Sequence, residues 1–509
     1  MTTATSPMAR AVGVTVLLTG LGSLLGFVRD LLLGRFFGAD AGTDAFLVAW
    51  TIPETAAPLL IEGAMAFVLV PLFSRAMEAG QDLRGLVSAT LPYLCLALLA
   101  LTALTAAGAP WLVGLLAPGI RRADLAADCM RVASVTILTF GLAGYLSAAL
   151  RAHQAFAPPA AIYAAYNVGI VTCVWALRDQ GPYAAAVGVA AGGAGMVLVQ
   201  APAFARRCWP PRRPARGVPL PMSVFLPVAV FTLARQSQVF VERFVGSKLA
   251  EGSISHLNYA QKIAQVPMVL SLIVATVSFP QLARALAAGD TARARRRIAD
   301  DLVTASAIVL IAGAALLVCA PDVVALLLQY GAFTAADTAA TAWIMRVYAL
   351  GLLGQAVVGV VCRVYFCGAR ASWYPVLAMG AGLAATVVLA RPSWGVTGIA
   401  AANAAGITLA AALLLAGLRR RAVALPVRTA LVPLGGLLAA AAAAAGAGWG
   451  TRTLLAGLPP PIALASTGAA IAVVFCPVAF YAVAALSGAT ATLTDTTKIT
   501  HLIRMRGRS

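Results

Sequence analysis

The sequence predicts an all-α polytopic membrane protein of about fourteen transmembrane helices: two six-helix lobes around a central cavity, plus two further C-terminal helices. Three observations carry this. The 509 residues are 61% hydrophobic and only 11% charged, with a mean hydropathy of +0.89; a soluble domain carries roughly 25% charged residues. The chain is a succession of apolar runs, most near the length of about 20 residues that a helix needs to cross a bilayer. Nearly every dense cluster of Lys and Arg falls after an even-numbered run.

The runs lie near 10–28, 44–74, 84–117, 130–150, 157–178, 183–204, 219–248, 255–284, 300–330, 339–367, 374–391, 395–418, 428–450 and 460–487. The first follows a single early Arg10 and reaches the charged pair Arg29-Asp30 without a small-residue cleavage site, so it reads as a retained span. Arg75 and Arg84 follow the second run, and Arg151 follows the fourth. Arg206, Arg207, Arg212, Arg213 and Arg216 follow the sixth; Arg284, Arg293 and Arg295 to Arg297 follow the eighth. Arg370 follows the tenth, Arg419 to Arg421 and Arg428 follow the twelfth, and the tail carries Lys498, Arg504, Arg506 and Arg508. The odd-numbered loops are poorer in positive charge, and their richest stretch, Arg121-Arg122, is followed by Asp124 and Asp128. This is the positive-inside pattern; it puts both termini in the cytoplasm of a bacterial plasma membrane. It also accounts for the net charge of +19 without any nucleic acid, and it brings basic faces to anionic head groups.

The chain divides at the Arg- and Pro-rich segment 206–221. Residues 1–205 form the first lobe, 222–420 the second, 421–490 the two extra helices and 491–509 a basic tail. The lobes look related. Val70-Pro71-Leu72-Phe73-Ser74-Arg75 resembles Phe279-Pro280-Gln281-Leu282-Ala283-Arg284, and Leu115-Leu116-Ala117-Pro118-Gly119 resembles Leu327-Leu328-Gln329-Tyr330-Gly331. Both pairs stand at nearly one offset, which implies parallel repeats about an axis normal to the membrane, with a cavity between lobes that rock.

A charge at mid-bilayer costs about 2.5–3.5 kcal/mol unless it meets a wet cavity or a partner. Arg29 and Asp30, Glu54, Glu62, Arg235, Glu242 with Arg243, Lys262, Arg346 and Arg363 lie inside runs, most of them in the first two runs of each lobe, which suggests a shared cavity wall. Arg29 and Asp30 are adjacent on a helix, point about 100° apart, and are not expected to neutralise each other face to face. Arg235 and Glu242 share a face about two turns apart. A Lys or Arg in a wet cavity suits phosphate. The structural alternative is snorkelling or an ion pair that only holds helices, and it weighs most for Arg346 and Arg363.

Catalytic patterns are absent. The three His are far apart in sequence, the eight Cys are scattered with no metal-ligand spacing, and no Walker A pattern occurs, so no cofactor and no direct use of ATP is expected. Ala191-Gly192-Gly193-Ala194-Gly195 reads as ordinary membrane composition rather than close helix packing.

Several segments together resemble the MurJ (MviN) lipid flippases of the multidrug/oligosaccharidyl-lipid/polysaccharide (MOP) exporter superfamily. They are Gly26-Phe27-Val28-Arg29-Asp30, Phe37-Gly38-Ala39, Thr43-Asp44-Ala45-Phe46, Glu62-Gly63-Ala64 and Val70-Pro71. Further on come Tyr259-Ala260-Gln261-Lys262 with Pro267 and Pro280, then Gln329-Tyr330-Gly331-Ala332-Phe333-Thr334 with Asp337, then Arg363-Val364-Tyr365 with Pro375. The resemblance covers most of 10–420. It implies a flippase for a polyprenyl-pyrophosphate-linked cell-wall precursor, typically lipid II, working by alternating access, with a lipid-tail groove on the last two helices. The membrane potential or a cation gradient would drive it, and membrane lipids and cell-wall synthesis proteins would be its partners. By position, Arg29, Asp30, Asp44, Glu62 and Lys262 carry over as cavity residues. Lys262 stands where the family usually has Arg, keeping the charge and losing bidentate geometry.

The departures concern cavity charge. Ser23, Ala57 and Pro58 stand where the family usually has cations. Arg235 and Arg243 are candidates to restore that charge, and Glu242 is the candidate for an ion site, although the eleventh run, Val376 to Leu389, lacks Asn and Asp. These departures keep three alternatives in view: a flippase of another lipid-linked glycan, an ion-coupled small-molecule antiporter of the same superfamily, and a membrane scaffold that no longer transports.

Overall fold

The computed structural model describes residues 7–63, 69–80, 82–209, 222–366, 372–418, 427–455 and 460–486, and every regular element among them is helical. Most of the basic linker (210–221), the segment 419–426 and the tail 487–509 lie outside the described residues. Among the described residues, ten helices are long and apolar enough to cross a membrane, and Tyr374–Leu389 and Leu464–Phe480 are shorter apolar helices. Two more long helices, Met222–Gly246 and Ser253–Ala287, are continuous and carry polar residues around Arg235 and Lys262.

In chain order the first half contains α1 (Pro7–Phe37), α2 (Ala41–Ala57), α3 (Val70–Glu78), α4 (Leu83–Ala107), α5 (Ala109–Leu116), α6 (Ala123–Ala133), α7 (Val135–Ala152), α8 (Ala157–Ala176) and α9 (Tyr183–Cys208). The second contains α10 (Met222–Gly246), α11 (Ser253–Ala287), α12 (Thr291–Leu328), α13 (Ala335–Phe366), α14 (Tyr374–Leu389), α15 (Gly395–Gly417), α16 (Val427–Leu454) and α17 (Pro460–Leu486).

Local chemistry explains the breaks. Gly38 ends α1 in the left-handed region (φ +64°), where a side chain would be strained, and Asp40 starts α2 by accepting from the Thr43 N–H at 2.7 Å. The second run changes helix type. Pro58 removes an N–H, α2 gives way to a π-helical turn at Pro58–Gly63, and, past residues 64–68 that lie outside the described residues, α3 runs from Val70 with Pro71 in its first turn. The Glu54 carbonyl, four residues before Pro58, receives the side-chain amide of Gln236 at 3.2 Å. The third run likewise breaks at Gly108 into α4 and α5, with Pro110 opening α5.

By contacts the chain forms two compact units. Unit one is Met1–Tyr259, Leu327–Thr341 and Arg370–Asn403; unit two is Ala260–Leu326, Ala342–Ala369 and Ala404–Ser509. In unit one, Phe46, Trp50, Ile61, Met130, Phe140, Ile162, Tyr166 and Ile170 belong to one core, with Phe140 and Tyr166 edge to face at 5.4 Å. A second core joins α3, α4, α7 and α9 through Leu72, Phe73, Leu86, Tyr145 and Phe204.

The glycines of α9 correct the sequence reading. A Cβ on Gly169 of α8 would stand 2.6 Å from Gly192 Cα, and a Cβ on Gly192 or Gly193 would collide with the Tyr166 carbonyl or the Thr139 hydroxyl. Gly192 and Gly193 therefore serve close helix packing, not mere membrane composition. Gly195 would meet only ordinary contact, at 3.4 Å.

In unit two, α12 packs on α16 and α17 through Val318, Leu437, Ala440, Ala444, Ile471 and Phe475. Pro321 lies inside α12 and frees the Leu317 carbonyl, which accepts from Arg346 Nε at 2.8 Å. Arg346 also faces the rings of Trp343 and Trp449, with centroids at 5.8 and 5.5 Å. Arg452 donates to the Val318 carbonyl at 2.6 Å and pairs with Asp322 at 3.2 Å. The structural alternative for Arg346 is the one the contacts support.

Candidate functional site

The buried charges of unit one form three arrangements. The first is built on α1. Arg29, 9% exposed, donates from Nε and Nη2 to Asp30 Oδ1 at 3.0 and 2.8 Å, and from Nη1 to Asn167 Oδ1 at 3.0 Å. This corrects the expectation for the adjacent pair. The two Cα–Cβ vectors do diverge, but the long Arg side chain folds sideways along the helix and reaches its neighbour's carboxylate. The guanidinium also lies 4.4 Å from the Trp50 ring centroid, an attraction that strengthens when desolvated. Asn167 is fixed in turn, its amide donating to the carbonyls of Gly22 and Tyr163 at 2.9 Å each. α1, α2 and α8 thus hold one cation in a set direction.

The second arrangement lies on α10. Arg243 is 2% exposed, donates from Nη2 to Asn258 at 3.3 Å, and stands 3.8 Å from Glu54. Its Nε and Nη1 have no hydrogen-bond partner among the described residues. Buried donors left unmet cost about 1–3 kcal/mol, and more when charged, so this guanidinium is suited to receive oxygen atoms from a ligand or from water. Glu242, 1% exposed, accepts from the Asn403 side-chain amide on α15.

The third joins the start of α11 to the start of α2. Asp44 accepts from the N–H of Gly252 and of Ser255 at 2.8 and 2.7 Å, and from the Ser255 hydroxyl at 2.6 Å. Its carboxylate caps the N-terminus of α11, where the helix dipole favours negative charge. Around it, the Tyr259 hydroxyl donates to the Gly38 carbonyl at 3.3 Å, and His256 Nε2 lies 3.0 Å from Asp337 Oδ1. Gly331 has φ +68° and a Cβ there would collide with the Arg35 carbonyl, which accepts from the Ala332 N–H at 2.9 Å. The glycines of the Phe37-Gly38-Ala39 and Tyr330-Gly331 motifs are explained by this backbone approach.

The structure thus brings together Arg29 with Asp30, and Arg243 with Glu54. Asp44 takes its hydrogen bonds from Gly252 and Ser255 at the start of α11. Arg235 is exposed on α10, two turns before the buried Glu242. Lys262 is half-buried on the part of α11 that belongs to unit two. Glu62 has its backbone in the π-helical turn, and its side chain lies outside the described residues. Sequence reading overlooked Asn167, Trp50 and Asn403. Asn167 and Asn403 carried a usable signal: a lone amide in an apolar run needs a partner.

This all-helical architecture defines a class. It is the fold of the MOP-superfamily transporters. The chain is similar to the solved structure "Lipid II flippase MurJ, inward closed conformation", with TM-score 0.77, 19% identity, and coverage of 92% of this chain and 98% of that one. It is also similar to an inward-facing multidrug resistance MATE family transporter of the MOP superfamily, with TM-score 0.65, 13% identity, and coverage of 81% and 98%. Within that class, the family model "Lipid II flippase MurJ" matches residues 33–461, and the chain belongs to this family. It is 32% identical over 408 residues to the probable lipid II flippase MurJ of Rhizobium meliloti (strain 1021), covering 75% of each. It is 26% identical over 430 residues to the lipid II flippase MurJ of Burkholderia cenocepacia, covering 80% of this chain and 83% of that protein.

Proposed function

We propose that the chain moves lipid II, a polyprenyl-pyrophosphate-linked peptidoglycan precursor, from the inner to the outer leaflet of the bacterial plasma membrane. The single observation that carries this is the family match across residues 33–461. In this reading the protein is a transporter and not an enzyme, both termini are cytoplasmic, and the lobes 1–205 and 222–420 rock to alternate access. Arg29 and Lys262 are the candidates to supply positive charge for the pyrophosphate, with Asp30, Glu62 and Arg235 as further candidate cavity residues. Arg243 contributes its unmet donors, in place of the cations absent at Ser23, Ala57 and Pro58. Asp44 acts through α11, which carries Lys262. Glu242 with Asn403 is the candidate for coupling to a cation gradient or the membrane potential, and cell-wall synthesis proteins are the expected partners.

The missing cations favour a second reading, a different lipid-linked glycan carried by the same fold. The test is complementation. A bacterial host is depleted of its essential lipid II flippase, this chain is expressed, and survival is scored with Lys262→Ala alongside. Survival that depends on Lys262 supports lipid II as cargo. Failure to rescue, with the protein demonstrated in the membrane, shifts the reading to another lipid-linked cargo.

A further inference from the structure

Unit one contains a cavity of about 380 Å³ between the outer ends of α5, α10 and α14, walled by Leu116, Phe240, Phe244, Val245 and Val387. Its size is that of a small-ligand pocket, roughly 300–1,000 Å³. The walls are apolar and partly open, with Phe244 41% and Val387 55% exposed. Trp111 on α5 and Trp394 just after α14 are exposed beside these helix ends, where aromatic rings mark the membrane–water interface.

The rim is what gives the cavity chemistry. Lys248 lines it and lies with Nζ 4.2 Å from the Phe244 ring centroid. Arg391 is exposed and stands between two lining residues, Ala390 and Pro392. Neither cation has an ion pair among the described residues. The nearest acid in the Lys248 loop, Glu251, is engaged by Arg121 at 2.8 Å, and the segment after Arg391, Pro392-Ser393-Trp394, holds no acid. Two uncompensated cations on the side poor in basic loops run against the charge pattern of the rest of the chain. They sit above an apolar slot, which is the complement of an acyl chain ending in a phosphate.

We propose that this groove binds an anionic phospholipid in the leaflet opposite the basic loops, with an acyl chain between α5, α10 and α14 and the phosphate at Lys248 and Arg391. The site is separate from the buried charges described above, yet it leans on the same helix. Phe240, Phe244 and Val245 face the groove, while Glu242 and Arg243 are buried in polar contacts. The occupant is therefore placed to bias the position of α10. The proposal needs only the membrane setting and not the identity of any cargo.

The test uses the full chain in proteoliposomes with a photo-crosslinking residue, Val387→p-benzoylphenylalanine. The same residue at Leu104, which is 70% exposed at the outer end of α4, is the control. Adducts are identified by mass spectrometry in vesicles of phosphatidylglycerol mixed with phosphatidylcholine, with and without a polyprenyl phosphate. The expected result is a phosphatidylglycerol-to-phosphatidylcholine adduct ratio at 387 about thirtyfold above that at 104, from two cations near the surface. The double variant Lys248→Gln, Arg391→Gln brings the ratio to the control value, and Lys248→Arg, Arg391→Lys keeps it. Both side chains are exposed, so neither change touches the core. Equal ratios at 387 and 104, or enrichment indifferent to the Gln variants, overturns the proposal. So does a polyprenyl phosphate that replaces phosphatidylglycerol at 387, because the groove then belongs to a polyprenyl tail.

Discussion

Arg29 shows how a single charge is kept in an apolar unit. Its guanidinium reaches Asp30, Asn167 and the Trp50 ring, and Asn167 is anchored by two carbonyls. Asn167→Ala removes an acceptor from a buried cation and two donors from buried carbonyls. It is expected to destabilise the protein by about 1–3 kcal/mol, read as a lower unfolding temperature in detergent, with Arg29 still present to bind. Asp44→Asn keeps the shape and turns one oxygen into a donor that faces N–H groups. A loss of about 1–3 kcal/mol is expected there too, and an unfolding curve identical to the parent's would refute the capping role. The charged residues themselves were legible in the sequence, because an ionisable group inside an apolar run stands out. Their partners were not. Asn167 is 138 residues from Arg29 and Asn403 is 161 from Glu242, and no local periodicity links residues so distant.

At the scale of elements, proline and glycine carry the argument. Pro58 and Pro321 each free a carbonyl four residues earlier, and each carbonyl is met by a side chain from another helix, Gln236 on α10 and Arg346 on α13. In a bilayer no water is present to do this. Gln236→Leu should therefore cost about 1–3 kcal/mol in the parent and little in a Pro58→Ala background, where an N–H is restored. A double-mutant cycle with no coupling would dispose of the idea. Gly192→Ala forces a Cβ into Tyr166 of α8 and Gly193→Ala one into Thr139 of α7, and they should destabilise the α8–α9 and α7–α9 contacts respectively by about 1–3 kcal/mol each. Gly195→Ala, whose Cβ would meet Ala165 only at ordinary contact distance, should be neutral or slightly stabilising. The breaks at Pro58 and Gly108 could be anticipated from residue type. The close approach at Gly192 could not, since it depends on which helix lies opposite.

For the whole molecule, the distribution of Lys and Arg predicts orientation. A phosphatase fused after Ser509 should be inactive and one inserted in the loop after Ser247 active, since the enzyme folds only outside the cytoplasm; the reverse pattern would overturn the proposed topology. Composition and run length determined the all-helical membrane class, because a bilayer demands long apolar helices whatever their packing. The combination of short motifs, from Gly26 to Asp30 and on to Asp337, pointed to the family that the match over 33–461 establishes. Tertiary structure alone decided which buried charges are already paired and, among the described residues, which donors of Arg243 stay open and where an apolar groove meets two cations without an ion pair. The physical reason is that helix formation depends on neighbours in sequence, whereas desolvation, ion pairing and cavity shape depend on residues brought from distant parts of the chain.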